Sequence, residues 1–396
     1  MKRGPKDFAC AGGSPTFAST IPVGQLYFPE WDQYEAAVRG IIQRRYYSNH
    51  GPLVRNLESR VETYLGVRNA LVVANGTLGL YLVALALGLQ GKVIMPSFTF
   101  IATAQAFLMA GIEPVFCEVD PLTHHMTPEA AEAVLEDGVC AVCAVNLWGG
   151  TANLPGLEDW ARSHRLPLIF DSAHAFGVQR AEGMVGRFGR AEVFSFHATK
   201  VMSATEGGCI CTDDDDLAER IRNIRSDNGI RRPVNVALTV NGRMSEAQAA
   251  IALMSLDDIE RRVANNRNIF ETYGAALATV PGVRIVEPNG VVHSNYQNAV
   301  VEISESEYGL SRDHLWAILR AEGVSVRRYF RPGAHRCVPF DKIRPQQLEA
   351  LPVTDGLCQT VLQLPIGARV TPADAATIAG LIRDSHVHAE ALRPRV

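Results

Sequence analysis

Between Asn69 and Thr212 short apolar runs alternate with helical patterns, and no other feature narrows the possible folds of this chain as far. "NALVVAN" precedes "TLGLYLVALALGL", "KVIMP" precedes "FIATAQAFLMAG", and "EPVFCEVD" precedes "TPEAAEAVLED". "VCAVCAVNL" then precedes "NLPGLEDWARSH", and "LPLIFDSAH" follows. Strands that are apolar along their whole length are buried on both faces, and a helix after each one supplies the cover. The expectation is an α/β fold built on a mostly parallel sheet. Thr127 and Pro128 read as the N-cap and first residue of their helix.

Two helical patterns, "PEWDQYEAAVRGIIQRRYYSNHG" and "LVRNLESRVETYLGV", come before this core, behind a loose arm over residues 1–20. A large domain is expected over residues 21–255. A long helical stretch runs on from Met244, and strands such as "NAVVEIS" with helices "RDHLWAILRAEG" and "PADAATIAGLIRDSH" form a smaller α+β domain over residues 256–396. With 396 residues, 47% of them hydrophobic, the chain has the apolar material for both.

The net charge of −4, with no basic run, gives no footprint for nucleic acid or a membrane surface. The first residues lack a continuous apolar segment and no later stretch is long enough to span a bilayer, so a cytoplasmic location is expected. Eight scattered cysteines suit a reducing compartment without disulfides. Cys140 and Cys143 lie three apart on an apparent strand and should face opposite sides; no second cysteine pair at zinc spacing supports a metal site. His124 and His125 fall in a loop and carry no chemical role in this reading.

In open α/β sheets ligands collect beyond the carboxyl ends of the strands, and three such ends are informative. In "VVANGTLGLYL" residues Asn75, Gly76 and Thr77 join a strand to a helix, which makes either a phosphate cradle or a tight turn with Thr77 as N-cap. No Walker or G-x-G-x-x-G motif is present, which removes support for nucleotide hydrolysis and nicotinamide chemistry. "LPLIFDSAHAFG" ends a strand in Asp171, with His174 three residues on; a carboxylate there needs a cation or strong donor, unless it caps a helix. "FSFHATKVMSATEGG" sets Lys200 among apolar residues, one of only five lysines. Such a lysine has its charged form disfavoured and can form a Schiff base, unless it reaches to the surface. Taken together, a phosphate site, a carboxylate and a desolvated amine are what pyridoxal 5′-phosphate requires.

At these residues the chain resembles the DegT/DnrJ/EryC1/StrS family of nucleotide-sugar aminotransferases, which have the type I fold of pyridoxal-phosphate enzymes. The likeness runs from "IPVGQ" through "SNHGPLVRNLE", "NGT", "PSFTFIATAQA", "NLWGG", "DSAHAFG", "SFHATK", "EGG" and "NGRMSEAQAA" to "RRYFRPGAHR". By that resemblance Lys200 would hold the cofactor covalently and act as general base and acid. Asp171 would pair with the pyridine nitrogen and His174 with the ring 3′-oxygen. Phe100 would stack on the ring, its other reading being a core aromatic. Gly76, Thr77 and Ser195 would hold the phosphate, while Glu206, Gly207 and Gly208 shape the turn behind the lysine. Asn241 would reach the phosphate of the neighbouring subunit's cofactor, which makes the active unit a homodimer.

The resemblance also puts Tyr329, Arg331 and His335 around the sugar and Gly24, Gln25 and Asn49 where the pocket closes. Two residues depart from the commoner family pattern: Gly242, where an aromatic is frequent, and Arg331, where an apolar or aromatic residue is. The implied reaction moves an amino group from an amino-acid donor, L-glutamate, to a nucleotide-linked ketosugar, with C4 of a dTDP-4-keto-6-deoxyhexose favoured by "SFHATK", "EGG" and "YFRPGAH". The rivals are a ketosugar dehydratase, an aminohydroxybenzoate-type branch and a catalytically silent homologue. Lys200 weighs against the first, since the dehydratase branches replace it by histidine, and Lys200 with Asp171 weighs against the last.

Overall fold

The computed structural model describes residues 2–226, 233–236 and 238–395. Helices α1 (Trp31–Arg44) and α2 (Pro52–Leu65) lead into β1 (Asn69–Val73), α3 (Gly76–Leu87), β2 (Lys92–Pro96), α4 (Ala102–Met109) and β3 (Glu113–Cys117). The chain continues through α5 (Pro128–Glu132), β4 (Val139–Val145), α6 (Leu154–Ser163) and β5 (Leu168–Asp171). A short hairpin, β6 (Gln179–Arg180) and β7 (Gly183–Met184), precedes β8 (Ala191–Ser195), β9 (Gly208–Thr212) and α7 (Asp215–Ile224). The sheet order is β1-β9-β8-β5-β4-β2-β3, with β9 the one antiparallel member, so the carboxyl ends of the other six strands share an edge.

Side-chain alternation explains the unbroken apolar runs. Leu71 and Val73 face one side of the sheet with α3, α4 and α7, whereas Ala70 and Val72 face the other with α2 and α8 (Glu246–Asp257). Both sides are dry, so neither position tolerates a polar residue. Thr127 caps α5 by accepting from the Ala130 N–H, with Pro128 at the first position, although the helix runs for only five residues. The cysteine geometry needs correcting. Lys92 pairs with Val139 but Val93 pairs with Ala141, so Cys140 is an extra residue in a β-bulge. The bulge resets the alternation, and Cys140 and Cys143 pack against the same cluster rather than on opposite faces. All eight cysteines are free thiols.

The helical stretch from Met244 breaks at Asp258 into α8 and α9 (Ile259–Leu277); Asp258 leaves helical geometry at φ −102°, ψ 3° and its carboxylate pairs with Arg261 and Arg262. Beyond α9 come β10 (Val283–Ile285), β11 (Ala299–Ile303), α10 (Glu305–Tyr308), α11 (Arg312–Ala321), α12 (Phe340–Ile343), α13 (Pro352–Thr360), β12 (Val361–Leu364) and α14 (Pro372–Val387). The strands form a three-stranded antiparallel sheet, β10-β11-β12, packed against α9, α11 and α14. Ile259 and Val263 of α9 belong to the large core, while Ile269, Phe270, Tyr273 and Leu277 belong to the small one.

The first residues are not the loose arm expected. Phe8 is fully buried in the small-domain core. The buried Glu322 carboxylate, at the end of α11, accepts from the Ala9 N–H (2.7 Å), the Thr16 N–H (2.8 Å) and the Thr16 hydroxyl (2.6 Å), and pairs with the Lys2 ammonium (2.8 Å). One aromatic anchor and one buried carboxylate order a segment that has no periodic pattern to announce it.

Candidate active site

A cavity of about 590 Å³ opens beyond the carboxyl ends of the parallel strands, with a wall contributed by Arg327, Tyr329 and Phe330 of the small domain. The β1–α3 turn forms its floor. Asn75, rather than Thr77, is the N-cap of α3: its Oδ1 accepts from the Leu78 N–H at 2.8 Å. Gly76 and Thr77 are then the first two residues of a twelve-residue helix, where N–H groups have no intrahelical acceptor and the helix dipole is positive. A Cβ on Gly76 would sit 3.3 Å from the Ser195 Cβ, and one on Gly208 would sit 2.8 Å from the Asn75 carbonyl carbon and the Gly76 nitrogen. The two glycines therefore let the ends of β8 and β9 close around this turn.

Asp171 ends β5. Its Oδ2 accepts from the Thr103 hydroxyl at 2.7 Å and its Oδ1 from the Ala173 N–H at 3.1 Å. No helix follows it, so it does not act as a helix cap. Burial pushes its pKa up, against the pull of these hydrogen bonds and of the Lys200 charge. His174 is buried against Trp148, ring centroids 5.6 Å apart, and burial with the nearby Lys200 charge holds its pKa well below the usual imidazole range. Its Nδ1 is buried and has no hydrogen-bond partner among the described residues.

Lys200 lies in the loop between β8 and β9. Burial lowers its pKa to about 8, with Asp171 opposing the shift and Arg327 adding to it. The loop backbone is hydrogen-bonded residue by residue: Lys200 N–H donates to the His197 carbonyl at 2.9 Å, and the Arg262 guanidinium donates to the Val201 carbonyl. Gln297 bonds the peptide on either side of the lysine, donating to the Thr199 carbonyl at 2.9 Å and accepting from the Val201 N–H at 2.7 Å.

These groups suit pyridoxal 5′-phosphate. Unsatisfied helix N–H groups beside Ser195 match a phosphate. The orphaned His174 nitrogen and the Asp171 carboxylate offer partners to a hydroxylated pyridine, and Lys200 supplies a partly neutral amine for an aldehyde. Phe100 lines the cavity and is 59% exposed, so it is not a core aromatic. Among the described residues no group of three or more His, Cys, Asp or Glu could hold a metal ion, and no helix is long and apolar enough to cross a membrane.

The expected sugar-side residues divide. Tyr329 lines the cavity, stacked on Trp148. Arg331 does not: it is half exposed and paired with Asp313 at 3.1 Å. Arg328 also pairs with Asp313, at 3.2 Å, and lies over Trp316, which leaves Arg327 as the arginine of "VRRYFR" that faces the cavity. Arg327 donates to the Tyr329 hydroxyl at 2.9 Å, and its backbone exchanges hydrogen bonds with Gln363 of β12. His335 is buried outside the cavity lining, 2.6 Å from the Ser97 hydroxyl and 3.4 Å from Asp355.

Gly24 and Gln25 support the lysine loop instead of touching the cavity. The Gln25 N–H donates to the Thr199 carbonyl at 3.3 Å, and a Cβ on Gly24 (φ 103°) would meet the Thr199 Cβ at 3.2 Å. Asn49 is likewise outside the lining, its carbonyl accepting from the Tyr46 hydroxyl at 2.9 Å. Asn241 is exposed and does not line this chain's own cavity.

Three residues go unread in the sequence: Arg327, Thr103 and Trp148. Trp148 carries the aromatic wall, stacking on Phe330 as well as on Tyr329, and its indole N–H donates to His124 Nδ1 at 3.1 Å. His124 in turn meets Glu302 of β11 at 2.5 Å, so this loop histidine is a buried pillar under the wall. The "NLWGG" motif was the available signal.

The DegT/DnrJ/EryC1/StrS aminotransferase family matches residues 31–383. The dTDP-4-amino-4,6-dideoxy-D-glucose transaminase of Shigella dysenteriae is 33% identical over 312 residues, 79% of this chain and 85% of that protein. The Escherichia coli protein of the same name is 28% identical over 88% of this chain and 94% of its own length. Among solved structures, DesI in the presence of its TDP-sugar product superposes with a TM-score of 0.93 at 39% identity, covering 98% of this chain and 99% of that one.

Proposed function

The chain belongs to the DegT/DnrJ/EryC1/StrS aminotransferase family, and from that membership we propose that it moves an amino group from L-glutamate to C4 of a dTDP-4-keto-6-deoxyhexose. It is a transaminase that works with pyridoxal 5′-phosphate. The observation that carries the substrate reading is the likeness to DesI and to the Shigella transaminase over most of the chain, joined to a cavity where Lys200 and Asp171 converge.

When bound, the cofactor supplies an aldehyde carbon and a ring that accepts electrons. The residues then divide the remaining work. The N–H groups of Gly76 and Thr77 with the Ser195 hydroxyl would hold the phosphate, Asp171 would keep the ring nitrogen protonated, and His174 would be the partner of the ring oxygen. Phe100 would cover a ring face. Lys200 would anchor the group and, as a free amine, would take the proton from the carbon bearing the donor's amino group and later return a proton to the sugar carbon. A pKa near 8 leaves both forms of Lys200 populated at physiological pH, the neutral amine to take a proton and the ammonium to return one. Arg327 is the cation offered to an anionic substrate group, beside Tyr329.

The same proposal includes a homodimer in which Asn241 serves the partner's phosphate site. The exposure of Asn241, and of Phe100 and Met109 in the cavity lining, supports it, since a second copy would cover them. We place the enzyme in the cytoplasm on its eight free thiols.

The test is a half-reaction. The visible band of the cofactor-loaded enzyme should bleach with L-glutamate and return with dTDP-4-keto-6-deoxyglucose. Bleaching that no nucleotide ketosugar reverses would remove the sugar from the proposal.

A further inference from the structure

The peptides on either side of Lys200 are bonded by a residue outside the cavity lining. Gln297 precedes β11 of the small domain and is 2% exposed. Its Oε1 accepts from the Val201 N–H at 2.7 Å and its Nε2 donates to the Thr199 carbonyl at 2.9 Å. A main-chain N–H can only donate and a carbonyl only accept, so the orientation of this carboxamide has one solution. The two peptide planes that meet at the Lys200 Cα are thus held by the two ends of one side chain, and the Cα–Cβ bond follows them.

Gln297 is itself fixed. Its N–H donates to Asn295 Oδ1 at 2.9 Å and its carbonyl accepts from Gln25 Nε2 at 3.1 Å. Asn295 also donates to the carbonyls of His174 at 3.1 Å and Phe176 at 2.9 Å. One short segment therefore fastens both the lysine loop and the His174 turn to the stretch that leads into β11.

We propose that Gln297 is a positioning residue for Lys200, aligning the amine with the reacting carbon and tying that alignment to the small domain. The proposal rests on Lys200 being the cofactor lysine. Gln297→Glu keeps the acceptor for Val201 but sets a second acceptor against the Thr199 carbonyl; Gln297→Met keeps the length and removes both bonds. A protonated Glu regains the donor, so the Glu variant should recover as pH falls.

The experiment follows Lys200 without relying on turnover. Cofactor-free protein is labelled with a trace of acetic anhydride across pH, with Lys92 and Lys342 as internal references, alongside thermal melts and the pH titration of the visible band of the holoenzyme. For folded variants we expect Lys200 labelling relative to Lys92 to change at least about threefold and the band midpoint to move. With the loaded enzyme, kcat should fall by about tenfold to a hundredfold while KM for L-glutamate stays within about threefold. Partial recovery of Gln297→Glu at low pH is part of the expected result. A folded variant with wild-type labelling and band midpoint overturns the proposal. Should neither variant fold, hydrogen exchange over residues 199–203 of the wild-type apoprotein decides: slow exchange supports the clamp and loop-like exchange overturns it. Unchanged labelling would leave the sugar reaction standing, and failure of the ketosugar screen would leave the labelling result standing.

Discussion

Asp171 and Lys200 reach the same cavity from the ends of two paired strands, and each restrains the shift that burial imposes on the other. Burial favours the neutral form of both, while their mutual attraction favours the charged forms. Lys200, at about 8, therefore has its neutral form within reach in the physiological range.

Replacing Lys200 by Ala should lower turnover by at least about a thousandfold, since anchoring and proton transfer are lost together. The melting temperature should be equal or higher, because a partly buried charge is removed. Near-normal turnover in the folded variant would end its assignment.

Asp171→Asn cannot hold a proton on the ring nitrogen by charge. A fall in kcat of about a hundredfold to a thousandfold is expected, with a shifted absorbance of the loaded enzyme. Equal kcat in variant and wild type would show that Asp171 faces something else.

Arg327 and Arg331 separate the cavity from the surface. Arg327→Ala should raise KM for an anionic substrate about tenfold or more, the worth of a charge-assisted hydrogen bond. It should also raise the Lys200 pKa, because Arg327 contributes to holding it down, so the alkaline limb of the band titration moves to higher pH. Arg331→Ala loses an exposed ion pair and should change KM by less than about twofold.

Subunit crossing can be read by mixing. If Asn241 serves the partner, Asn241→Ala and Lys200→Ala homodimers are each impaired, yet equal mixing leaves one intact site in every hybrid, or about a quarter of wild-type activity. Absence of complementation in mixed dimers would place Asn241 in its own subunit or outside the site.

Glu58 supplies an acid-stability test. Burial raises its pKa, but Arg225, at 2.8 Å, and His50, at 2.7 Å, overcome this and hold it at about 2. Because the folded value lies below the unfolded one, the stabilisation is full above about pH 4.5 and is lost as pH falls toward 2. Glu58→Gln should lower stability at pH 7, because the carboxylate charge that Arg225 and His50 hold is lost, and should flatten the acid slope of stability. Denaturant midpoints between pH 2 and 7 measure both.

The parts of this molecule that repeat with a period were legible from sequence. Buried strands with covering helices fixed the sheet, and strand ends such as Asp171 showed where to seek chemistry. What was not legible depends on contacts between distant segments. Nothing near Arg327 says that it, and not Arg331, faces inward, because Asp313 and Trp316 make that choice from another helix. The β-bulge at Cys140 and the burial of Phe8 are likewise decided by partners far along the chain. Motif position does not give the orientation of His335 either, since Ser97 and Asp355 draw it into the protein.

Because α9 enters both cores, neither half of the protein is a separable piece. A cut at residue 255 would strip the large half of Ile259 and Val263 and leave those two side chains bare on the small half. Limited proteolysis should therefore not release two stable fragments, and co-expression of residues 1–255 with 256–396 should yield soluble protein only when the halves find each other.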